Sequence, residues 1–217
     1  MFYDPRHYDR GLPHNPWLGL IIRRPIGWVS TAAPDGTANL APYSCFNAIA
    51  SNPPFLMLSS DGTKDSVRNA EATGFFCVNI ATYELREAMI QSAAACPPGV
   101  DEFVASGLDA VACRNIPVQR VAQSPVAIEC KLSQIVTLAS SADTTCTNRV
   151  AIGEVVGIYI EERVLREGLV DVDLLKPLGR MEYREYTVPQ ASFEMSRPTI
   201  EPYWAETDES KKKENTT

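Results

Sequence analysis

Short runs of strand-forming residues separated by turn residues constrain the fold of this chain most strongly. Residues 27–33 form one such run, and Pro34-Asp35-Gly36-Thr37 follows as a turn signal, because proline presets φ and glycine accepts a positive φ. The chain then returns over residues 38–47, which predicts a β-hairpin. The sixteen prolines of the chain argue against an all-helical bundle, since proline interrupts helices.

The rest of the chain continues this pattern with few helices. Further strands are predicted over 55–58, 75–81, 126–133 (one face buried, with a bulge near 135–136) and 150–160 (a central strand at a possible subunit interface). Helices are predicted over 63–74, capped by Thr63, over 83–94 and around 102–104. Helices do not alternate regularly with strands, so we expect a mainly β fold. It would be an antiparallel barrel with two or three peripheral helices rather than a doubly wound sheet.

Composition limits the classes of function. The formal net charge of −7 provides no positive field for nucleic-acid backbones. No apolar stretch approaches the roughly 20 residues of a membrane-spanning helix, and no secretory signal is recognised. Six cysteines without a C-x-x-C pair are interpreted as reduced thiols of a cytoplasmic protein. We expect one domain over 21–190, an N-terminal arm over 1–20 and a C-terminal extension with a frayed tail over 191–217.

Two early segments offer polar groups beside aromatic rings. Ser30 and Thr31 place hydroxyls at a strand end near Trp28, although a plain surface-to-core strand explains them equally. Ser44, Phe46 and Asn47 suit a planar heteroaromatic ligand with polar edges; the alternative is an edge strand bent by a proline. Cys45 is a weak candidate nucleophile, because the two histidines, at positions 7 and 14, lie in the irregular N-terminal arm.

Two later segments could bind anions. Residues 59–66 combine a strand end, a glycine turn and a helix start, where N–H groups, hydroxyls and Lys64 would converge on a phosphate. The segment lacks the Walker spacing, and a plain capped helix is the alternative. Arg180, next to a glycine, could reach an anionic or carbonyl edge of a ligand, or simply be exposed. No His, Asp and Glu cluster has metal-ligand spacing, so no metal is expected.

Taken together, the segments resemble the flavin reductase-like family of FMN-binding split barrels. The resemblance runs from about residue 20 to 186 and rests on the order and spacing of several motifs. They are RPIGWVST at 24–31, LAPYSCFNAIASNPP at 40–54, TKDSVRNAEATGFFCVNI at 63–80, PPGVDEF at 97–103, SPVAIECKL at 124–132 and IGEVVGIYI at 152–160. The resemblance implies a homodimer of Greek-key antiparallel split β-barrels with noncovalent FMN at or near the dimer interface; FAD is the less favoured flavin.

The resemblance also assigns cofactor contacts. The strand carrying Ser30 and Thr31 and the segment 44–47 would line the isoalloxazine and ribityl chain, with Trp28 packing near the site and Arg180 approaching the flavin. Cys45 stands where an aromatic or small residue is usual, which could change access to one ring face. The phosphate would lie among a set of four residues: Ser60, Lys64, Asp65 and Ser66.

The implied activity is flavin-dependent oxidation and reduction. NADH or NADPH would bind transiently and pass a hydride to flavin N5, after which electrons reach an acceptor or a partner oxygenase. The flavin carries this chemistry, so no catalytic side chain is assigned. Three alternatives stay open at this stage: an oxygenase acting on its own small substrate, a flavin carrier without turnover, and a β-barrel interaction protein without flavin.

Overall fold

A computed structural model describes residues 2–4, 6, 11–94, 96–97, 99–141 and 146–196. Fourteen strands and four α-helices lie within these residues. The strands are β1 Arg24–Pro25, β2 Gly27–Ala32, β3 Ala38–Tyr43, β4 Phe46–Ser51, β5 Pro54–Asp61, β6 Phe75–Ile80, β7 Ala110–Ala112, β8 Gln119–Val121, β9 Val126–Thr137, β10 Asn148–Ile160, β11 Leu165–Arg166, β12 Leu169–Val170, β13 Gly179–Arg180 and β14 Tyr186–Thr187. The helices are α1 Asp65–Thr73, α2 Arg86–Gln91, α3 Glu102–Ala105 and α4 Val172–Leu175.

Seven antiparallel strands form the main sheet in the order β3-β2-β6-β9-β10-β5-β4. Its two edge strands, β3 and β4, follow each other in the chain, so the sheet curls until they meet at Ser44 and Cys45. There the Ser59 N–H donates to the Cys45 carbonyl at 2.8 Å, but no ladder joins β3 to β4. We call this gap between the edge strands the seam. It makes the barrel split, which confirms the predicted mainly β, antiparallel split-barrel fold.

The barrel core explains why these residues form strands. Val29, Leu58, Phe76 and Cys130, from four different strands, pack in one buried cluster. Burial of such side chains favours folding by about 25 cal/mol for each Å² of apolar surface. Gly27 allows close packing at the seam, because a Cβ there would lie 2.7 Å from the Phe46 ring.

The second strand of the predicted hairpin is shorter than expected. Residues 27–32 and 38–43 do pair, but β3 ends at Tyr43. Phe46 begins β4, which pairs with β5 at the opposite edge of the sheet. The prediction of one strand over 38–47 was therefore wrong, because periodicity cannot detect a strand that changes partners across the barrel.

The central strands agree with the prediction except in detail. β10 lies between β9 and β5, as expected of the segment at 150–160. The register of β9 shifts beside Gln134 and Leu132, which leaves Ser133 as the extra residue, two positions before the predicted bulge. The single buried face predicted for β9 was wrong, because Glu129 on the opposite face is only 4% exposed. Its carboxylate accepts the backbone N–H groups of Arg114 and Asn115, both at 2.7 Å.

The helices differ from the prediction mainly at their ends. α1 begins at Asp65 with Lys64 as its N-cap and no side-chain cap, so Thr63 does not cap it, whereas Gly74 ends it at φ 82°. The helix predicted over 83–94 is a 3-10 turn followed by the short α2. α3 matches the predicted turn. The single turn α4 was missed, because four residues show no periodicity; the Asp171 carboxylate accepts two N–H groups at its start.

A small sheet of β1, β13 and β14 joins the barrel to the N-terminal arm. Arg24, 8% exposed, donates to the carbonyls of Leu18, Ile21 and Met181. This arginine therefore ties residues 18–21 to the loop that follows β13. The domain division stays a prediction, and His7 and residues 197–217 lie outside the described residues. None of the described helices is long and apolar enough to cross a membrane.

Candidate functional site

A cavity of about 790 Å³ lies along the seam, between β3, the end of β5 and the start of α1. Predicted site residues Ser44, Cys45, Lys64, Asp65 and Ser66 line it. The other lining residues are Leu18, Asn39, Ala41, Pro42, Tyr43, Ser59, Asp61, Ser92, Ala93, Ala94, Cys96, Glu102 and Asn148. We call it the seam cavity. Residues from two predicted segments, 41–47 and 59–66, thus line the same cavity, although these segments are separated in the sequence.

The wall of the seam cavity includes one buried hydroxyl without a partner among the described residues, that of Tyr43, and a second such hydroxyl, that of Ser60, lies outside the cavity lining, so this predicted site residue does not line the cavity. The Tyr43 and Ser60 hydroxyl oxygens are buried and make no hydrogen bond with the described residues. The Ser60 and Ser66 hydroxyls lie beside Tyr43, and burial raises the pKa of the Tyr43 phenol. The phenol therefore stays protonated and can donate. Leaving a buried polar group unpaired costs about 1–3 kcal/mol, so this wall favours a polar ligand.

Ser30 and Thr31 support this wall from behind. Both are almost fully buried. The Asn39 amide donates to Thr31 Oγ1 at 3.2 Å and to Ser66 Oγ at 2.9 Å, and the Asn79 amide donates to Ser30 Oγ at 3.2 Å. Since Ser66 Oγ already accepts from Asn39, its own hydroxyl hydrogen is free to point into the cavity. Ser30 and Thr31 thus lie behind the lining rather than in it.

The first turn of α1 forms the anion-binding end of the cavity. No side chain caps this helix, so the N–H groups of its first turn are available to a ligand. Lys64 and Ser66 stand at the same end. Asp65 is engaged elsewhere, because it pairs with Arg68 at 2.8 Å. Backbone donors, a hydroxyl and an ammonium at a helix start are the groups that hold a phosphate.

Two carboxylates at the cavity are already engaged by hydrogen bonds. Asp61 accepts from the Thr147 hydroxyl at 2.7 Å. Glu102, 9% exposed, accepts the Leu40 N–H at 3.2 Å, and burial raises the pKa of its carboxyl group. The Glu102 carboxyl therefore takes up a proton at a higher pH than an exposed glutamate does.

The remaining predicted site residues do not line the cavity. Trp28 is 0% exposed and its indole N–H donates to Ser92 Oγ at 2.8 Å, so its side chain packs rather than contacts a ligand. Phe46 packs against the core, and Asn47 is exposed on the edge strand. Arg180 lines a neighbouring cavity of about 300 Å³. That cavity shares Leu18, Pro42, Ser44 and Ala93 with the seam cavity.

Sequence reasoning missed several lining residues. Asn39 and Tyr43 come from β3 and Asn148 from β10, and they meet only because the sheet curls. For Tyr43 the sequence does contain a local signal of a lining residue, because its phenol stands beside a proline and two polar residues. The Asn148 amide donates to Ser59 Oγ at 3.3 Å, a contact between β10 and β5 that depends on their register.

The groups present fit FMN. The unpartnered Tyr43 phenol lies at the wall of the seam cavity, and the uncapped helix start supplies donors for a phosphate. Lys64, Ser66 and the first-turn N–H groups would hold the phosphate, and Tyr43 and Ser44 would face the ribityl chain or ring. These residues supply binding and orientation.

Comparison with known proteins identifies the family of this chain. Residues 20–176 match the flavin reductase like domain. An uncharacterized protein of Aquifex aeolicus is 37% identical over 78% of this chain and 86% of its own length. The structure of nitrilotriacetate monooxygenase component B from Bacillus cereus is 28% identical with a TM-score of 0.83, covering 90% of this chain and 98% of that chain.

A second solved structure is similar over the same extent. The 2-nitrobenzoate 2-nitroreductase NbaA of Pseudomonas fluorescens is 29% identical with a TM-score of 0.75, again covering 90% of this chain and 98% of that chain. The family model covers the barrel, the seam cavity and the start of α1. The chain therefore belongs to the flavin reductase-like family.

Proposed function

We propose that this protein binds FMN in the seam cavity and is an NAD(P)H-dependent flavoprotein oxidoreductase. The observation that carries the proposal is the uncapped start of α1 beside Lys64 and Ser66, facing a cavity whose wall holds the unpartnered Tyr43 hydroxyl. The phosphate of FMN would bring negative charge to the uncapped start of α1. The hydroxyls of the ribityl chain would bring hydrogen-bond partners to the buried hydroxyl at the cavity wall. FMN fits better than FAD, because a terminal phosphate suits a helix start.

The chain itself would bind, orient and exclude water. When bound there, FMN would supply the hydride and electron-transfer chemistry. Lys64 and the α1 N–H groups would fix the phosphate, Asn39 would keep Ser66 and Thr31 in position, and the buried phenol of Tyr43 would donate without ionising. No side chain needs to transfer a proton for the hydride step.

We also propose that two copies form a homodimer. β10 exposes Val156, Ile158 and Ile160 at 39%, 60% and 38%, and β4 is exposed along most of its length. Apolar rows of this kind are typical of interfaces. The expected solution mass is twice 23.9 kDa, measured by light scattering after gel filtration. The Ile158→Asp variant should run as a monomer; a monomeric wild type would contradict the dimer.

A partner oxygenase is the acceptor we favour. The Bacillus cereus neighbour is by its name one component of a monooxygenase, which supports supply of electrons to a second protein. NbaA supports a second candidate, reduction of a small substrate of this protein's own, and the adjacent 300 Å³ cavity offers room for one. The cysteines are free, which supports a cytoplasmic location, because thiols stay reduced in the cytoplasm.

The test is the visible absorption spectrum of the purified protein under anaerobic conditions, before and after FMN and then NADH or NADPH. The proposal expects a bound flavin spectrum that bleaches when donor is added. The Lys64→Ala variant at saturating FMN is the matched control and should bleach too, because Lys64 binds but does not react. A bound flavin that neither donor bleaches would favour a carrier, and no bound flavin would overturn the proposal.

A further inference from the structure

A second large cavity lies outside the seam, between the segment 83–90 and the C-terminal strands β13 and β14. Its volume is about 720 Å³. We call it the basic groove. Apolar side chains and two tyrosines make up much of its lining, namely Met89, Ile90, Leu178, Val188, Tyr83 and Tyr186, and its charged residues are Arg86, Glu87, Arg180 and Arg184. Three arginines against one glutamate give it a positive charge, whereas the whole chain carries −7.

Two of the arginines are held in place by tyrosines. The Arg86 guanidinium lies 4.3 Å from the centre of the Tyr83 ring and donates to the Tyr83 carbonyl at 2.8 Å. The Arg180 guanidinium lies 4.4 Å from the centre of the Tyr186 ring and donates to the Tyr183 carbonyl. Stacking and one carbonyl bond fix each group but leave further N–H groups for a ligand.

The third arginine has no such anchor. Arg184 is exposed and makes no hydrogen bond or ion pair within the described part of the chain. Glu87 already pairs with Arg86 at 3.1 Å, so it does not neutralise Arg184. An arginine free at the rim of a groove with an apolar lining is suited to a phosphate whose attached base or sugar lies inside.

The basic groove connects to the seam cavity through the smaller cavity. Arg180 and Tyr186 line both the groove and the 300 Å³ cavity. The smaller cavity in turn shares Ser44 and Pro42 with the seam cavity. Three contiguous spaces therefore run from the flavin region to Arg184. A dinucleotide, with a reactive ring at one end and a second nucleotide at the other, has the matching form.

We propose that the basic groove binds the adenosine end of the dinucleotide donor and selects NADPH over NADH through Arg184. This inference rests on the proposed function and adds the identity of its donor. NADPH carries a 2′-phosphate where NADH has a neutral hydroxyl, and an arginine is the usual partner of that phosphate. Tyr83, Tyr186 and the apolar lining would receive the base, and Arg184 would bind the phosphate.

The test is calorimetric titration of the FMN-loaded protein with 2′,5′-ADP, with 5′-AMP and with inorganic phosphate. We expect 2′,5′-ADP to bind most tightly. The Arg184→Ala variant should weaken 2′,5′-ADP roughly tenfold, the scale of one charge-assisted hydrogen bond, and leave 5′-AMP unchanged. Arg120→Ala is the control for the loss of an arginine elsewhere, because Arg120 lines a different cavity.

Each outcome decides the inference separately from the proposed function. Equal affinity for 2′,5′-ADP and 5′-AMP would overturn NADPH selection. Binding of inorganic phosphate as tight as that of 2′,5′-ADP would also overturn it, because the groove would then be a plain anion site. Absence of 2′,5′-ADP binding would overturn it as well. These results stand whether or not a donor bleaches the flavin. Conversely, if the protein oxidised NADH but not NADPH, the proposed function would hold and the inference of NADPH selection would be overturned.

Discussion

Replacement of Lys64 by alanine tests the placement of the FMN phosphate most directly. Lys64 is the N-cap of α1 and lines the seam cavity beside Ser66. A hydrogen bond to a charged group contributes about 1.5–3 kcal/mol. Because Lys64 is exposed, solvent screens its charge and the lower end of that range applies. A loss of about 1.5 kcal/mol corresponds to a roughly 12-fold higher Kd for FMN.

Riboflavin separates the phosphate from the rest of the ligand. It lacks the phosphate, so its Kd should stay within about twofold for Lys64→Ala, and adding Ser66→Ala should widen the difference between the two ligands. Quenching of flavin fluorescence during titration with protein measures both constants. Lys131→Ala is the control, since Lys131 is exposed on β9 and does not line the cavity. Equal losses for FMN and riboflavin would refute the phosphate site at α1.

Three further predictions concern buried groups and thiols. Glu129→Leu leaves two N–H groups without their 2.7 Å acceptors, so urea unfolding should show a loss of about 3–5 kcal/mol; a loss below about 1 kcal/mol would contradict this role. Burial raises the pKa of Glu102 above its ordinary 4.5. Protonation of Glu102 therefore stabilises the folded state at low pH, and this stabilisation is lost as the pH rises through the raised pKa. Stability of Glu102→Gln relative to wild type should therefore improve toward neutral pH, and a flat difference would disprove the assignment. Exposed Cys45 should react with maleimide before buried Cys130. Bound FMN should slow the labelling of Cys45 but not that of Cys113, and mass spectrometry measures the labelling of each cysteine. Labelling of Cys45 at the same rate with and without FMN would argue against a flavin beside Cys45.

Local chemistry predicted much of the fold and part of the site. The turn at 34–37, the glycine stop at Gly74 and the central position of β10 all follow from residue type and periodicity. The proposed phosphate-binding end of the cavity follows from one contiguous segment, 59–66. In each case the deciding interactions are close in sequence, or the pattern repeats over many residues.

The misses share a different physical cause. Ser30 and Thr31 were expected to line the ring, but the amides of Asn79 and Asn39 hold them behind the cavity lining. Tyr43 and Asn148 line the cavity because of curvature and register, which single segments do not encode. Glu129 is buried because residues 14 and 15 positions earlier in the chain supply two N–H donors to its carboxylate. Its charge alone predicts that this face of β9 is exposed, which is wrong.

The seam also bears on the survival of the protein in a cell. Within the described residues no strand ladder joins β3 to β4 across the seam, and the Ser59–Cys45 hydrogen bond only extends the pairing of β5 with β4. We therefore expect the ligand-free barrel to open there first, exposing amides to exchange and to proteases. A ligand that binds the closed form stabilises it by mass action, by about 2.7 kcal/mol at 100 times its Kd. Flavin supply would then set the lifetime of this chain as well as its activity.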